Sequence, residues 1–496
     1  MSDAASDIAA LARGGRTNFM GFLLRLAARL PFLFIAGRLY GAEALGRFAS
    51  ALVVVELAAM VCTLGEKRGL AQRLSDGDED GFPSHIVFDG LMTALLAGSL
   101  AAVILWLFPA PMFPSGEYIA TDKLLVLAIP ALALTEILLA AQAYRYDIGA
   151  TVRARAIVEP WTISIMAAAF YVLAPQSGLP LAYLVSIYAA LATAAWSFLT
   201  HYGLPRGWIP NPRRMIELTV RGAPLAAADA IEWGTRRLDI LILGLFAQPA
   251  TVGIYYVAQQ VASLPQKLKT SFEPILGPVI TRALKDHDFA SIARQVCQVG
   301  FWITAAQAGV ALSLGIPGEA IMGLVGPNFV GGTAALAFLL GAEVVAATAV
   351  VSEAALIYVA RMRNLVVSIG TISLQALLTV ILMILVKSYG LPELNLAVAA
   401  AVSLAAALAV ASGTKAFMLS RILDRSINNW RWALVWAAAL AVIVGQVVIL
   451  LPEWIELVFG IPAILAAYGW VIWRRGFGPE DRMLFRPAGD TASKGG

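Results

Sequence analysis

The sequence predicts an all-α, polytopic membrane protein with about fourteen transmembrane helices. Two pseudo-symmetric six-helix lobes are expected around a central cavity, with two more helices at the C-terminus. The first observation behind this prediction is composition: of the 496 residues, 59% are hydrophobic and 14% are charged, whereas an ordinary soluble domain has about 25% charged residues. This composition excludes disordered, fibrous and disulfide-rich secreted proteins, and also an ordinary soluble enzyme.

The second observation is a series of long apolar runs, since a spanning helix needs about 20 mostly apolar residues. Fourteen segments qualify: residues 18–39, 43–64, 85–108, 123–143, 157–174, 180–200, 223–246, 252–272, 296–316, 333–359, 364–386, 394–414, 432–451 and 457–473. The eighth segment is the weakest because Pro265, Lys267 and Lys269 interrupt it.

The third observation is the distribution of positive charge. If the N-terminus is cytoplasmic, 28 of the 36 lysines and arginines fall in cytoplasmic segments and four fall on the opposite side. This asymmetry follows the positive-inside rule, and an odd number of helices would destroy it. The sequence therefore predicts a multi-pass membrane protein with both termini in the cytoplasm.

An internal repeat at a shift of about 207 residues indicates two homologous lobes. It pairs Gly46 with Gly253 and Arg29 with Arg236. Because each lobe has an even number of helices, both lobes have the same orientation, and a substrate site is expected between them. The predicted segments are a cytoplasmic N-terminus (1–17), an N-lobe (18–204), a cytoplasmic linker (205–222), a C-lobe (223–419), two further helices (432–473) and a cytoplasmic tail (474–496).

Charged residues at membrane depth indicate a polar cavity, because burying a charge in the bilayer is costly. The predicted substrate-binding residues are Arg25, Arg29, Asp229, Glu232, Arg236 and Asp239. Their spacings of three and four residues place them on one face of the first and one face of the seventh helix. The same residues also fit a salt-bridge network between the lobes that has no ligand, and the sequence leaves both interpretations open.

Single acidic residues in other helices are candidates for ion coupling. Glu56, Glu136 and Glu343 are each predicted to lie at membrane depth, where a carboxylate carries a proton or binds a sodium ion. A structural pairing with an arginine is the alternative for each of them. Coupling to H⁺ or Na⁺ is the only role for a small ion that the sequence predicts.

The chain lacks the motifs of the common catalytic and nucleotide-driven sites. It has no Gly-x-x-x-x-Gly-Lys-[Ser/Thr] phosphate loop and no Gly-x-Ser-x-Gly elbow. Its three histidines are far apart in the sequence, and its two cysteines lie in apolar stretches. We therefore predict no catalytic residue, no metal site, no cofactor and no nucleic-acid partner. Transport is expected rather than chemistry.

Four segments in order resemble a known family of transporters: Arg38–Phe48, Arg236–Gly244, Val252–Ala258 and Ile321–Phe329. Together they resemble the polysaccharide-export branch of the multidrug/oligosaccharidyl-lipid/polysaccharide (MOP) exporter superfamily, the Wzx-type flippases. The resemblance covers most of the chain, from Arg13 to about Leu419. It implies twelve core helices in two lobes and the transfer of an undecaprenyl-diphosphate-linked oligosaccharide from the cytoplasmic to the periplasmic leaflet. It also implies membrane lipids as partners, and a polysaccharide polymerase with its export machinery.

The resemblance further implies that Arg25, Arg29 and Arg236 engage the diphosphate of the substrate. Three other functions stay open at this stage. A lipid II flippase uses closely similar chemistry. A MATE-like cation or drug antiporter would use membrane acids such as Glu56, Asp229 or Glu343. A membrane glycan polymerase or ligase is disfavoured by the short outer loops.

Overall fold

A computed structural model describes residues 30–76, 83–205, 207–266, 280, 283–286, 288–478 and 481. All regular structure in these residues is helical, which confirms the all-α fold class. Ten of the described helices are long and apolar enough to cross a membrane, and Trp432–Val448 is a shorter apolar helix. Each of the fourteen predicted segments overlaps a helix. The overlap is limited to residues 30–39 for the first segment and to residues 252–266 for the eighth, because the rest of each lies outside the described residues.

The described residues divide into two compact units between Tyr256 and Val257. We call residues 30–256 the N-unit and residues 257–481 the C-unit. This division by packing assigns the seventh predicted helix to the N-unit. The two lobes predicted from the sequence repeat are a different division of the chain from these two units. The lobe boundaries stay a prediction.

The N-unit contains eight complete helices and parts of two others. They are α1 (residues 30–40, ending in the π-helical turn Ala36–Tyr40), α2 (Gly41–Cys62), α3 (Glu66–Asp76), α4 (Pro83–Leu107), α5 (Ala128–Tyr144, preceded by the 3₁₀ turn Ala120–Leu127), α6 (Ile148–Thr151), α7 (Glu159–Leu173), α8 (Gly178–Tyr202), α9 (Pro212–Phe246) and the start of α10 (Pro249–Gln266). A π-helical segment, Val152–Val158, joins α6 to α7. The short helix α3 lies where the sequence predicted only a basic cytoplasmic connection.

Helices α2 and α10 touch through their backbones at a pair of glycines. A Cβ atom on Gly46 would lie 1.7 Å from the carbonyl oxygen of Pro249, and one on Gly253 would lie 2.0 Å from that of Ala42. Only glycine fits at either position, as in other membrane helices that pack closely through small residues. The contact is reciprocal, because the repeat shift of 207 carries Ala42 onto Pro249 and Gly46 onto Gly253.

The C-unit packs its helices around an apolar core. Its elements are the remainder of α10, α11 (Phe289–Gly315), α12 (Gly318–Val325), α13 (Thr333–Val359), α14 (Arg361–Ser388), α15 (Leu394–Leu423), α16 (Trp432–Val448), α17 (Glu453–Ile455) and α18 (Ile461–Val471, followed by the π-helical turn Ile472–Gly476). Buried side chains such as Phe301, Val351, Leu419 and Ile464 form one hydrophobic cluster. The two appended helices α16 and α18 thus share the core of the C-unit.

A buried carboxylate fastens the end of the described chain to α11 and α16. Asp481 accepts hydrogen bonds from Trp302 Nε1 at 2.8 Å and from Gln298 Nε2 at 3.1 Å. Arg431, which precedes α16, donates to the same carboxylate at 2.6 Å. Burial alone raises the pKa of Asp481, but the hydrogen bonds from Arg431 and the other donors outweigh it, so the net pKa is lower than usual.

Candidate functional site

A chain of ion pairs joins four elements of the N-unit. The carboxylate of Glu136 on α5 lies between two cations, Lys67 Nζ at 3.0 Å and an Arg155 guanidinium nitrogen at 2.6 Å. The other terminal nitrogen of Arg155 contacts Glu159 at 2.7 Å. We call these four residues the charge network. In the predicted topology it lies toward the cytoplasmic ends of the helices.

Local backbone geometry positions the members of this network. Arg155 belongs to the π-helical segment that joins α6 to α7, and π-helical insertions often occur at functional sites. Glu159 lies four residues further on, which places its carboxylate beside the guanidinium of Arg155. Lys67 lies in the first turn of α3, directly after the tight turn that ends α2.

That tight turn rests directly on α9. Gly65 has a φ of +74°, a conformation that glycine adopts readily. A Cβ atom on Gly222 would lie 1.8 Å from the carbonyl oxygen of Leu64, and one on Gly65 would lie 2.7 Å from the carbonyl oxygen of Gly222. This close contact aligns α3 with α9 and places Arg68 Nε 2.7 Å from Asp229 Oδ1.

One buried tyrosine links Glu56 to the charge network electrostatically. The buried ring of Tyr183 on α8 interacts electrostatically with Glu56, Glu159 and Arg155. Glu56 is partly buried on α2. The predicted coupling residues Glu56 and Glu136 therefore belong to one neighbourhood.

Asp239 occupies a different environment from Asp229. It is fully buried, it accepts a hydrogen bond of 2.6 Å from the hydroxyl of Tyr255, and its other oxygen accepts from the backbone N–H of Ile240. Its bond to Tyr255 ties α9 to α10.

The remaining predicted residues divide into three groups. Arg25 and Arg29 lie outside the described residues. Glu232 and Arg236 are on α9, and their side chains also lie outside what the structure describes. Glu343 is on α13 and therefore belongs to the C-unit. The structure thus assigns Glu56, Glu136, Asp229 and Asp239 to the N-unit, and the predicted role of each in binding or coupling stays a prediction.

Sequence reasoning did not select four charged residues that the structure brings to the site. Lys67, Arg68 and Arg155 were attributed to the positive-inside rule, and Glu159 was overlooked. The spacing of four between Arg155 and Glu159 was an available signal. The partners of Lys67 and Arg68 were not available, because those contacts join residues 69 and 161 positions apart.

The network pairs two cations with two carboxylates, so its charges balance without a bound ligand. Arginine offers a planar fork of donors that matches phosphate oxygens. Among the described residues, no group of three or more histidine, cysteine or acidic side chains has the arrangement of a metal site.

A cavity of about 600 Å³ lies beside the network at the same end of the N-unit. Its lining includes the polar residues Arg153, Ser197, Thr200 and His201. Trp196, which also lines it, is 76% exposed, as is common for tryptophan at the membrane interface.

A bundle of membrane-spanning helices that holds ionisable groups as ion pairs is typical of membrane transporters. The sequence profile of a family described as "Polysaccharide biosynthesis protein" matches residues 18–284, more than half of the chain. The chain belongs to this family, within the MOP exporter superfamily, which the sequence analysis had predicted. Its membership of this exporter superfamily places it with transporters rather than with enzymes.

Solved structures of the superfamily share the fold. A lipid II flippase, MurJ, in an inward closed conformation matches with a TM-score of 0.68 and 12% identity over 93% of this chain and 98% of that one. An inward-facing multidrug resistance MATE family transporter matches with a TM-score of 0.65 and 14% identity over 81% of this chain and 99% of that one. A MOP superfamily transporter from Pyrococcus furiosus matches with a TM-score of 0.53 and 14% identity over 85% and 96% of the two chains. No curated protein sequence matches the chain significantly.

Proposed function

We propose that this protein is a flippase that moves polyprenyl-diphosphate-linked oligosaccharides from the cytoplasmic to the periplasmic leaflet by alternating access. The physical problem is a charged, hydrated headgroup that must cross about 30 Å of hydrocarbon, while its polyprenyl tail stays in lipid. A protein that solves it needs cations to receive the diphosphate. The observation that carries the proposal is the charge network of Lys67, Glu136, Arg155 and Glu159.

In this proposal the network is a receiving site on the cytoplasmic side. The diphosphate displaces Glu136 and Glu159 from Arg155, so that cationic charge is balanced both with and without substrate. Charge-assisted hydrogen bonds to phosphate are about twice as strong as neutral ones. Arg25, Arg29 and Arg236 then receive the diphosphate deeper in the membrane. Glu232 balances these cations when no substrate is bound, whereas Asp229 pairs with Arg68 on α3.

The displaced carboxylates suggest how transport is coupled to an ion gradient. Glu136, freed from its cations, becomes available to bind H⁺ or Na⁺, and Glu56 and Glu343 are further candidates for the same role.

The cavity that Arg153 and His201 line suits the phosphate of an inner-leaflet lipid, since basic groups at this surface attract anionic headgroups. A polysaccharide polymerase is the proposed recipient of the exported glycan.

The decisive experiment compares two arginines of the N-unit. Arg155→Ala is expected to reduce glycan export per molecule of folded protein at least about tenfold, since charged-group hydrogen bonds contribute roughly 1.5–3 kcal/mol. Arg221 also forms an i,i+4 pair with a glutamate, but its side chain is 75% exposed. Arg221→Ala serves as the matched control and should leave export unchanged.

A purely structural role for Arg155 predicts a different outcome. Removing the arginine leaves Glu159 without its cation, so a second change, Glu159→Gln, would then restore both folded protein and export. Under the flippase proposal the double variant recovers folded protein but not export. Full export by Arg155→Ala itself would refute the receiving-site assignment.

The proposed orientation places both termini on the cytoplasmic side of the bacterial inner membrane. Reporter fusions test this orientation. Fusions after Pro109 and Leu451 should report an external location, and fusions after Leu204 and Leu423 an internal one. An internal signal after Leu451 would contradict the fourteen-helix topology.

A lipid II flippase is the second candidate, because the solved structure of the lipid II flippase MurJ matches over 93% of this chain. The substrates of the two proposed functions carry different glycans, but both contain a diphosphate. Depletion of the protein in its host distinguishes them: loss of surface polysaccharide with normal growth supports the proposal, and lysis from failed cell-wall synthesis supports the alternative.

A further inference from the structure

The N-unit has a second cavity, at the end of the helices opposite the charge network. Its volume is about 630 Å³, within the range of roughly 300–1,000 Å³ for small-molecule sites. Three stretches of chain form it: the junction of α1 and α2, the connection between α4 and the 3₁₀ turn before α5, and the connection between α7 and α8. In the proposed topology all three lie on the periplasmic side.

Three tyrosines line this cavity. Tyr118 and Tyr171 are 38% and 40% exposed, so part of each ring is available to a ligand. Tyr171 meets Tyr40 edge-to-face at 5.5 Å, and Tyr118 is stacked on Phe113 at 4.9 Å. The rings therefore hold fixed positions before any ligand arrives, which lowers the entropy lost on binding.

Tyr40 is fixed on its other side as well. Its hydroxyl donates a hydrogen bond of 2.7 Å to the carbonyl oxygen of Ala167 on α7. A Cβ atom on Gly178, the first residue of α8, would lie 2.0 Å from that hydroxyl oxygen. Glycine at this position therefore leaves the space that the Tyr40 side chain occupies.

The cavity has no excess of positive charge for an anion. Arg47, on its wall, is buried and already donates to Asp122 at 3.0 Å and to Glu43 at 2.6 Å. Glu43 and Glu117 both line the cavity and are exposed. Lys123, whose Nζ lies 5.3 Å from the centre of the Tyr118 ring, adds one cation. Arg47 and Lys123 together only balance the two lining carboxylates, so a diphosphate is a poor fit here.

Rigid aromatic rings beside carboxylates match the two kinds of surface that a sugar presents, its C–H face and its hydroxyl edge. The C–H groups of a pyranose ring carry partial positive charge and pack against the negative face of an aromatic ring. The hydroxyl groups at the edge of the sugar donate to carboxylates and to the carbonyl oxygen of an amide such as Gln176, which also lines the cavity. Hydrogen bonds to a charged acceptor are the stronger kind.

We propose that this periplasmic cavity of the N-unit binds the uncharged, hydroxyl-rich part of a saccharide, with Tyr118 and Tyr171 as stacking platforms and Glu43 and Glu117 as hydroxyl acceptors. The inference rests on the proposed function, because the saccharide is the glycan of the transported lipid. The charge network then handles the diphosphate and the cavity handles the sugar, at opposite ends of the same unit.

The test uses the full-length protein in lipid nanodiscs and a glycan that carries no phosphate. The probe is the oligosaccharide released by mild acid from the polyprenyl-diphosphate pool of the host, and its binding is measured by titration calorimetry and by saturation-transfer NMR. Tyr118→Ala and Tyr171→Ala are each expected to weaken binding about tenfold, through loss of the aromatic platform. Tyr389→Ala removes a tyrosine that is 76% exposed in the C-unit, and it should bind like the wild type.

Two further measurements sharpen the result. Inorganic pyrophosphate should bind equally well to the wild type and to Tyr118→Ala, because the cavity does not serve the diphosphate. If the released oligosaccharide contains uronic acids, its carboxyl-reduced form should bind more tightly than the native form. Thermal unfolding of each variant shows whether the protein is folded, so that lost binding is not mistaken for lost structure.

The outcomes separate this inference from the proposed function. If the oligosaccharide does not bind the wild type, or binds the folded double variant Tyr118→Ala/Tyr171→Ala equally well, the saccharide site is refuted. If export still depends on Arg155 in that case, the proposed function stands without the cavity. If export is also independent of Arg155, the receiving-site proposal fails as well.

Discussion

The N-unit and the C-unit are both bundles of membrane helices, but they differ in how they hold charge. The N-unit links Lys67, Glu136, Arg155 and Glu159 into one connected network across four elements. Among the described residues of the C-unit, the ion pairs Lys415–Glu353 and Arg431–Asp481 are separate contacts. Within the described residues, both bundles have apolar cores, and the connected charge network is an additional feature of the N-unit.

The largest effect is expected from the glycine contact of the N-unit. Gly46→Leu places a side chain against the backbone of α10, where even a Cβ atom would lie 1.7 Å from Pro249 O. The loss should exceed the roughly 1–3 kcal/mol typical of core overpacking, so we expect little folded protein. The matched control is Gly413→Leu in the C-unit, where a Cβ atom meets nothing within 4 Å. Size-exclusion chromatography of fluorescent fusions measures the folded fraction, and equal profiles for the two variants would contradict the close contact.

The next largest effect concerns export rather than folding. Arg29→Ala should abolish export per folded molecule, and Arg29→Lys should restore it only in part, because lysine keeps the charge but loses the planar fork. The assay is surface glycan normalised to folded protein in the membrane. If Arg25→Ala, Arg29→Ala and Arg236→Ala all export normally, these arginines do not form the substrate site. Glu56 and Glu343 then become the better candidates.

A smaller effect is expected from the isolated ion pair of the C-unit. Lys415 is 5% exposed, and its Nζ lies 2.9 Å from Glu353 Oε2. Lys415→Met should destabilise the protein by about 1–3 kcal/mol, because it leaves a carboxylate without its charged partner. The double change Lys415→Met/Glu353→Gln should recover most of that loss, and export per folded molecule should match the wild type. A tenfold loss of export in the folded double variant would show that charge in the C-unit is also functional.

The smallest effect is the pH dependence of the Asp481 contact. Because the pKa of this carboxyl is lower in the folded protein than its ordinary value of 3.8, its ionised form stabilises the folded state. That contribution is fully present above the unfolded pKa of about 4 and is lost as the pH falls through the lower folded value. The difference in Tm between the wild type and Asp481→Asn should therefore be largest near neutral pH and shrink below about pH 4. A difference that grows on acidification would contradict the lowered pKa.

Much of the fold was predictable because apolar length alone determines where membrane helices can form. The segment predicted at 333–359 coincides with α13 at both ends. Helix α3 was not predicted, because its residues are polar and it was read as part of a charged loop. The extension of α9 back to Pro212 was missed for the same reason.

The candidate site was predictable only within single helices. Helical spacing shows that Asp229 and Glu232 share a face, but it does not show which neighbouring element meets that face. Asp229 was expected to balance the deep arginines, and the structure pairs it with Arg68 on α3. Glu136 was predicted either to couple an ion or to pair with an arginine, and the structure places it between Lys67 and Arg155. Such contacts depend on tertiary packing, which a single sequence does not encode locally.

The reciprocal contact of Gly46 and Gly253 has the form of an interface between two identical subunits. Each glycine meets the backbone of the other repeat at an equivalent residue, as happens across a two-fold axis. Under the predicted duplication, one glycine of a half-length ancestor would have supplied both sides of the contact between two copies of the same chain. Gene fusion would have placed that codon twice in one gene, so that a mutation can now change either copy independently of the other. A surviving glycine pair at this spacing is thus a marker by which duplicated halves can be located in related sequences whose other similarities have decayed.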